Sequence, residues 1–461
     1  MNYLLAIAVA VLAVLAGWFV TVAGPGFIVL GALAVGISIF AFFSPRLSLL
    51  LVVFSMLLSP EIPVGGAISE RHVVVRYDDI LIAIIFISWF ARTAIEKGRA
   101  FIVDTPAHKP ILIYTALCVV STGLGILRGD INPKVSFFYV VKYIQYFLLY
   151  FMTVNIVRDP AEIKKYLKAA LLVAAIVTVY AYYYYFNSGP DGRSSAPFEA
   201  AVGSPGESEP ASLGGYYLIL FGVLLGLVVH APLRVSAAAI AAMLAVLPVF
   251  MATYSRASYI GLTAMVPASF IIFSRRKLFL FTALLGMLIV GVILPGISEK
   301  TRERVRMTYT GELATRGVEF MGVKLNLEES AYLRYNSLRR VLTEHLPKHP
   351  LLGRGVTGIG LGDNQYALVL GELGIIGFFV FLWMLYSVFG AARAVSLAYD
   401  EFWIKAVSTG LMVALVGLLF QGLGVNTFII VRIMEPFWML TAFVMVLHGG
   451  IPPRRLKAED A

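Results

Sequence analysis

Long apolar segments of membrane-spanning length dominate this chain of 461 residues. A helix needs roughly 20 mainly apolar residues to cross the hydrocarbon core of a bilayer, and fourteen segments approach that length. They lie at about 3–20, 25–43, 46–60, 78–95, 110–127, 135–157, 163–187, 212–231, 233–254, 256–273, 277–297, 364–392, 403–422 and 429–449. They do not alternate apolar and polar residues as barrel strands do, so we expect helices, of which the short third one could be re-entrant.

The composition excludes a soluble globular protein. Hydrophobic residues make up 59% of the chain and charged residues 14%, and the mean hydropathy is +0.84, so there is too little polar surface to cover a water-soluble fold. The first apolar segment has no basic residue before it and runs directly into the second, so we interpret it as a helix rather than a signal peptide. The sequence predicts an all-α polytopic membrane protein with about 12–14 transmembrane helices.

Lysine and arginine concentrate in alternate connections between these segments, for example in 92–109, 158–168 and 275–277. Such an excess marks cytoplasmic loops, so both ends of the chain are predicted to be cytoplasmic. The predicted organisation is 1–297 with transmembrane helices 1–11, 298–363 as a helical extracytoplasmic segment, 364–449 with helices 12–14, and 450–461 as a cytoplasmic tail.

A short outer turn between two spans carries one arginine; its sequence, over 253–259, is TYSRASY. The guanidinium group of Arg256 offers five hydrogen-bond donors that fit phosphate oxygens. Ser258 and the amides of the following helix add anion-binding groups. Arg256 is therefore a candidate phosphate ligand, and an arginine that binds lipid headgroups is the alternative interpretation.

Two further places hold ionisable residues at or near a span. Lys142 and Gln145 share one face of the sixth span, where a buried charge indicates function unless the lysine extends to the interface. Asp78 and Asp79 open the fourth span, where they suit the helix dipole and its free amides; a metal-binding or general-base role is the alternative. Arg432 and Glu435, three residues apart in the last span, are expected to pair with each other.

The connection at 187–211 follows four tyrosines, 182–185, and is rich in Gly, Pro and Ser. Tyrosines at this level form an interface belt or a wall on which sugar rings stack. The connection itself is predicted to be a flexible loop that could act as a lid.

The long segment before the twelfth span is the main charged and glycine-rich part of the chain. Residues 327–346 show helical spacing of apolar residues, with Arg334 and either Arg339 or Arg340 on other faces, and 353–363 read GRGVTGIGLGD. These glycines do not form a dinucleotide loop, because no strand precedes them. We expect them to let the backbone approach a ligand, with Asp363 and Asn364 at the start of the next span.

Three motifs in this order resemble the superfamily of O-antigen ligases and O-antigen polymerases: YSRAS at a tight outer turn, an arginine-bearing helix that leads to HPLLGRG, and DNQYALVLGELGIIGFFVFL. The resemblance covers mainly 250–385, with a weaker similarity in RYDDIL before the fourth span. It implies a GT-C-type glycosyltransferase of the bacterial inner membrane, with an extracytoplasmic site and no metal, nucleotide sugar or other cofactor. The implied partners are a polyprenyl-diphosphate-linked glycan, a carbohydrate or glycolipid acceptor, membrane lipid and, for polymerases, a chain-length regulator.

The resemblance also implies roles for single residues. Arg256 and Arg334 match the arginines that would bind the diphosphate of the glycan donor. Asp363 stands where the ligases usually have histidine, and this departure favours a polymerase over a ligase. We predict Asp363, Arg256 and Arg334 as catalytic residues. The predicted substrate-binding residues are Lys142, Asn364, Ser258, Tyr254, Tyr366, Arg339 and His349.

A mechanism follows from the chemistry of these groups. Arginines can stabilise the negative charge of a departing diphosphate, and Asp363 can take the proton of the attacking hydroxyl, with His345 and His349 as further candidate bases. A transporter or flippase of lipid-linked glycans is the alternative from another class. It predicts internal repeats and charges at mid-membrane, and the sequence shows neither clearly. Nucleic-acid binding is not supported, because the basic segment lacks a recognition motif.

Overall fold

The computed structural model describes residues 35–68, 71–95, 103–189, 192–199, 210–273, 276–293, 299, 316–320, 323–327, 329–360 and 363–451. The first predicted span, most of the second and nearly all of the predicted cytoplasmic tail lie outside these residues.

Within the described residues, helices form at the predicted apolar segments and, at Glu329–Arg340, inside the stretch 327–346 that was predicted to be helical. They are α1 (Pro45–Leu58), α2 (Tyr77–Ile95), α3 (His108–Leu127), α4 (Pro133–Ile156), α5 (Pro160–Asn187), α6 (Pro210–His230), α7 (Leu233–Met251), α8 (Arg256–Ile272), α9 (Lys277–Ile293), α10 (Glu329–Arg340), α11 (Gln365–Ala398), α12 (Phe402–Gln421) and α13 (Val431–Gly449). Eight of them, α3–α7 and α11–α13, are long and apolar enough to cross a membrane, while α1 and α8 are shorter apolar helices. The chain is a helical, polytopic membrane protein.

Three helices form the centre of the bundle. The apolar stretches of α6, α12 and α13 are 83%, 78% and 83% buried, against 28% for α5, which lies at the periphery. Helices α6 and α12 approach closely at small residues: a Cβ on Gly226 would lie 2.1 Å from the carbonyl oxygen of Ala406. Small residues at such contacts let two membrane helices pack backbone to backbone.

Two β-hairpins depart from the predicted all-α fold. Strand β1 (Glu61–Ile68) pairs antiparallel with β2 (Arg71–Arg76) between α1 and α2. Strand β3 (Arg316–Phe320) pairs antiparallel with β4 (Val323–Leu327), inside the segment that we predicted to be helical. There α10 begins only after β4, and a π-helical turn, Val341–His345, continues it. Each strand contains β-branched valine, which favours extended backbone, and helical spacing alone does not anticipate this pairing.

Helix α11 is broken at Gly374, whose φ is 68°. The connection at 349–355 enters this break, where the Arg354 N–H donates to the Gly371 carbonyl at 2.9 Å. Non-helical backbone is tolerated at membrane depth when protein groups satisfy it in this way. The first glycines of GRGVTG therefore let the backbone pack closely against α11, a protein contact that the sequence did not predict.

Candidate active site

The turn before α8 sets the position of Arg256. Ser255 caps the helix, because its side chain accepts a hydrogen bond from the Ser258 N–H at 3.4 Å, and the Ser258 hydroxyl donates to Ser255 Oγ at 2.9 Å. Tyr254 precedes the cap with a φ of 50° and packs beside Tyr185, with 3.3 Å between the two hydroxyl oxygens. The tight turn thus makes Arg256 the first residue of α8.

Ser258 is fully buried beneath this turn. Its hydroxyl accepts a hydrogen bond from Gln421 Nε2 at 3.0 Å, and the same amide donates to the Ala211 carbonyl at 2.9 Å. Ser258 therefore joins the start of α8 to the end of α12. This placement supports a structural role for Ser258 in holding the turn, in contrast to the predicted binding of substrate.

The connection that follows α12 brings several predicted residues together. Arg334 Nε donates to the Gly424 carbonyl at 2.8 Å, and Asn364 Nδ2 donates to the Leu423 carbonyl at 3.2 Å. A Cβ on Gly424 would lie 2.9 Å from the Ala257 Cβ and 3.9 Å from Arg334 Nε. Arg334, Asn364 and the neighbour of Arg256 thus meet around one short backbone segment.

Sequence reasoning missed the role of this connection, 422–424. The sequence feature that could have revealed this role is GLG directly after an apolar span. Glycine has no side chain, so three other elements can approach the backbone closely there.

Asp363 lies next to Arg334 at the start of α11. Their side chains are 3.9 Å apart, between Arg334 Nη2 and Asp363 Oδ2, and both are partly exposed, at 26% and 35%. Asn364 caps α11 by accepting hydrogen bonds from the N–H groups of Tyr366 and Ala367, each at 3.0 Å. The Tyr366 hydroxyl donates to the Leu419 carbonyl at 2.6 Å. Asp363 and Arg334 are thus held at one edge of a well-anchored helix start.

An apolar groove begins at Arg256 and follows the length of α8. Its volume is about 770 Å³, and Phe389 of α11 and Phe420 of α12 line its opposite wall. From Arg256 to Ile272 the helix rises about 24 Å. Ile271 is 83% exposed, so the groove is open at its side. We call it the α8 groove.

Lys142 lies in a different cluster. Its Nζ is 2.7 Å from Asp79 Oδ2, and Arg76 Nη2 is 2.7 Å from Asp78 Oδ2. Glu435, fully buried, accepts from Gln145 Nε2 at 3.0 Å. We call these six residues the buried charge network.

The three carboxylates of this network are close enough to share one cation, and Arg76 and Lys142 already contact two of them. Asp79 also accepts a hydrogen bond from the Arg76 N–H at 2.8 Å. These contacts favour the structural interpretation of Asp78 and Asp79 at the start of α2.

Arg432 does not pair with Glu435 as predicted. It forms a salt bridge with Glu61 at 3.1 Å and donates to the carbonyls of Pro197 and Phe198 at 2.7 and 2.9 Å. The part of the 187–211 connection at 194–197 is buried. This described part is packed into the bundle, so it is not the flexible lid that we predicted.

His349 belongs to a third cluster, between α3 and the 345–354 segment. Asp130 contacts Arg354 at 3.2 Å, Arg128 at 2.9 Å and His349 at 3.8 Å, and His345 Nδ1 is 3.3 Å from Arg354 Nη1. We call these five residues the Asp130 cluster. The contacts place both histidines here and not beside Asp363. Arg339, near the end of α10, has an exposed side chain.

Neighbouring charges shift the pKa values of this cluster. Partial burial opposes ionisation of Asp130, but hydrogen bonds from Arg354 and Arg128 outweigh it and lower the pKa of Asp130. Burial and the nearby Arg354 lower the pKa of His345. Burial and the nearby Arg128 lower the pKa of His349. Both histidines are therefore held neutral near pH 7.

Glu372 is a buried carboxylate that sequence reasoning did not single out. It lies just before the break in α11 and accepts hydrogen bonds from the Thr357 N–H at 2.6 Å and the Tyr143 hydroxyl at 3.2 Å. Its backbone carbonyl accepts from the Ser121 hydroxyl at 2.7 Å. Glu372 thus fixes the glycine-rich connection to α3 and α4. The sequence GELG, polar inside an apolar span, was the available signal.

No protein-family model matches this chain, and no curated protein matches it significantly.

Proposed function

We propose that this protein is a membrane glycosyltransferase that transfers a glycan from a polyprenyl-diphosphate carrier to a sugar hydroxyl. One observation carries the proposal. The α8 groove, about 770 Å³ in volume, ends at Arg256, and the residue after Arg256 packs on the same glycine as Arg334, which neighbours Asp363. A long apolar groove with cations at one end and a carboxylate beside them suits an isoprenoid diphosphate.

The carrier lipid explains the two halves of this arrangement. The isoprenoid chain would lie along α8, where it exchanges contacts with lipid tails for van der Waals contacts with apolar side chains. The diphosphate would lie at Arg256 and Arg334, because planar guanidinium groups bind phosphate oxygens through two parallel hydrogen bonds.

The proposed reaction is a displacement at the anomeric carbon. The oxygen of the acceptor hydroxyl forms the new glycosidic bond, and the bond from that carbon to the diphosphate oxygen breaks. The electron pair leaves with the polyprenyl diphosphate, whose added charge Arg256 and Arg334 stabilise. The hydroxyl proton passes to Asp363, which acts as the general base.

Among such enzymes we favour a polymerase of surface polysaccharide, of the GT-C type, with its site on the extracytoplasmic face of a bacterial membrane. The support is the resemblance of the three motifs and the aspartate at position 363. The alternative is an O-antigen ligase that attaches the glycan to a lipid A-core or another acceptor.

The experiment offers the purified protein, in lipid nanodiscs, its polyprenyl-linked repeat unit as the sole substrate. Longer lipid-linked chains on a gel would establish polymerisation. Product that forms only after a second glycolipid or saccharide is added would establish ligation. Absence of transfer with every acceptor would contradict the glycosyltransferase proposal.

A transporter of lipid-linked glycans is the second candidate, and the buried charge network is the observation that favours it. Ionisable residues inside a membrane bundle often mark a transport path. The same preparation, reconstituted in vesicles, tests it: movement of labelled lipid-linked glycan between leaflets without formation of new glycosidic bonds would support transport.

A further inference from the structure

A second apolar groove lies among α1, α5, α6, α12 and α13, with one lining residue, Val235, from α7. Its volume is about 390 Å³. Two charged residues, Lys164 and Lys168, contribute to its lining, and apolar or aromatic residues form the rest. The groove therefore combines a hydrocarbon-like interior with a cationic end. We call it the α5 groove.

The two lysines are one helical turn apart on α5 and point to the same face. Lys164 Nζ lies 4.9 Å from the centre of the Trp403 ring, which fixes the ammonium group at the mouth of the groove. Two of the nearby acidic residues are engaged by other cations: Glu162 pairs with Arg46 at 2.8 Å and Asp400 pairs with Lys405 at 3.0 Å. This end of the groove thus has a local excess of positive charge.

The length of the groove matches one leaflet of a bilayer. Its wall on α6 extends from Tyr216 to Leu227, a rise of about 16 Å, and half of a hydrocarbon core is about 15 Å thick. An acyl chain that enters beside the lysines would reach the inner end near Pro436.

The α5 groove is remote from the candidate active site. Trp403 lies at the beginning of α12, whereas the connection at 422–424 follows the end of the same helix. The 20 residues of α12 separate the two by about 30 Å. The phosphate bound at the cationic end of the α5 groove therefore cannot be the carrier diphosphate at Arg256.

From this combination we infer that the α5 groove binds one acyl chain of an anionic glycerophospholipid, whose phosphate lies at Lys164 and Lys168. Charge complementarity selects the anionic class. A zwitterionic lipid could place a chain in the groove, but its headgroup would bring an ammonium group towards the two lysines.

Trp403 provides a direct reporter. In a full-length variant that keeps Trp403 and carries phenylalanine at the other four tryptophans, dibrominated phosphatidylglycerol should quench Trp403 fluorescence at a lower mole fraction than dibrominated phosphatidylcholine. Because an ammonium group near an anionic lipid contributes about 1 kcal/mol, or about fivefold in affinity, Lys168→Gln should reduce the preference about fivefold. Lys168 is the residue to change, since Lys164 itself contacts the reporter ring.

A variant that keeps Trp383 instead is the matched control, because Trp383 is 43% exposed on α11 and outside the α5 groove. Its quenching should be equal for the two lipids. Equal quenching of Trp403 by the two lipids, or a preference that Lys168→Gln leaves unchanged, would overturn the inference.

A second measurement does not require the tryptophan replacements. In native mass spectrometry, the unmodified chain should retain a phosphatidylglycerol molecule that phosphatidylcholine does not replace, and Lys168→Gln should retain less of it. Retention of both lipids to the same extent by both proteins would likewise overturn the inference.

Discussion

At the scale of single residues, the proposal depends most on Arg256. Replacement by lysine keeps the positive charge but removes the planar pair of donors that fits a diphosphate. We expect Arg256→Lys to lower kcat by about 10²–10³, since loss of one preorganised charge-stabilising donor has that effect, and Arg256→Ala to abolish transfer. The measurement is the rate of glycan transfer in nanodiscs. Arg393→Lys, an exposed change on α11, is the control and should transfer at the normal rate.

Asp363 is the proposed base. Asp363→Asn keeps the size of the side chain but cannot take a proton, so we expect kcat to fall by about 10²–10⁴ while KM for the lipid-linked glycan changes little. Asp400→Asn, at an exposed position near the start of α12, should leave both constants unchanged. Near-normal turnover by Asp363→Ala would remove the carboxylate from the mechanism.

Residue types capable of binding or catalysis could be recognised in the sequence, but the residues that they contact could not. Lys142 was selected because an ionisable residue in a span is costly, yet its partner Asp79 is 63 positions away. Ser258 was selected as an anion donor, and its hydroxyl is instead occupied by Gln421, which is 163 positions away. Pairings over such distances depend on how helices pack, and hydropathy does not encode this.

At the scale of elements, helix positions were predictable because bilayer thickness fixes the length of an apolar helix. The tenth segment, expected at 256–273, is α8 at Arg256–Ile272. The two hairpins and the break in α11 were not predicted. A single glycine inside an apolar span does not reveal whether the helix breaks there, and the break at Gly374 exists because the 349–355 connection supplies partners from elsewhere.

The break in α11 gives a stability prediction. Gly374 has a φ of 68°, and a Cβ there would lie 2.5 Å from the Leu351 carbonyl group. We expect Gly374→Ala to lower the free energy of unfolding by about 1–3 kcal/mol or more, from backbone strain plus this clash. Thermal unfolding in detergent measures it. Gly390→Ala, on the same helix with nothing within 4 Å of the added Cβ, should be neutral or stabilising by about 0.5–1 kcal/mol.

The Asp130 cluster predicts a dependence on pH. Packing of the 345–354 segment in the folded protein lowers the pKa of His345 and His349. The two histidines therefore bind protons more readily when this segment is detached and unfolded than when it is packed. The contribution of the two histidines to the stability of the packed segment is therefore complete above the ordinary histidine pKa of about 6.5. It is lost as the pH falls below this value. Asp130, whose pKa is also lowered, adds a further loss below its ordinary pKa of about 4.

Hydrogen exchange of 345–354, corrected for the intrinsic effect of pH, should consequently accelerate between pH 7 and pH 5. The His345→Gln/His349→Gln double variant should lose this acceleration. Exchange that stays constant in the unmodified protein over the same range would contradict the prediction.

At the scale of the whole molecule, one connection links the candidate active site to the buried charge network. The carbonyls at 422–424 hold Arg334 and Asn364, the Phe428 N–H donates to Gln365 Oε1 at 2.9 Å, and Glu435 follows in α13. Changes in the network can therefore disturb the site without contact with substrate. Any loss of activity on mutation of Lys142 has two possible origins, which a single substitution does not separate.

A double substitution separates them. Lys142→Met leaves the largely buried Asp79 carboxylate without its cation, so we expect the free energy of unfolding to fall by about 3–5 kcal/mol and transfer to fall with it. In Lys142→Met/Asp79→Asn the unpaired charge is gone, and the amide oxygen introduced at position 79 can still accept the hydrogen bond from the Arg76 N–H. We expect both thermal stability and transfer rate to recover, because the contacts of Lys142 are those of a structural ion pair. If stability returned while transfer remained lost, Lys142 would instead bind the substrate, as the sequence predicted.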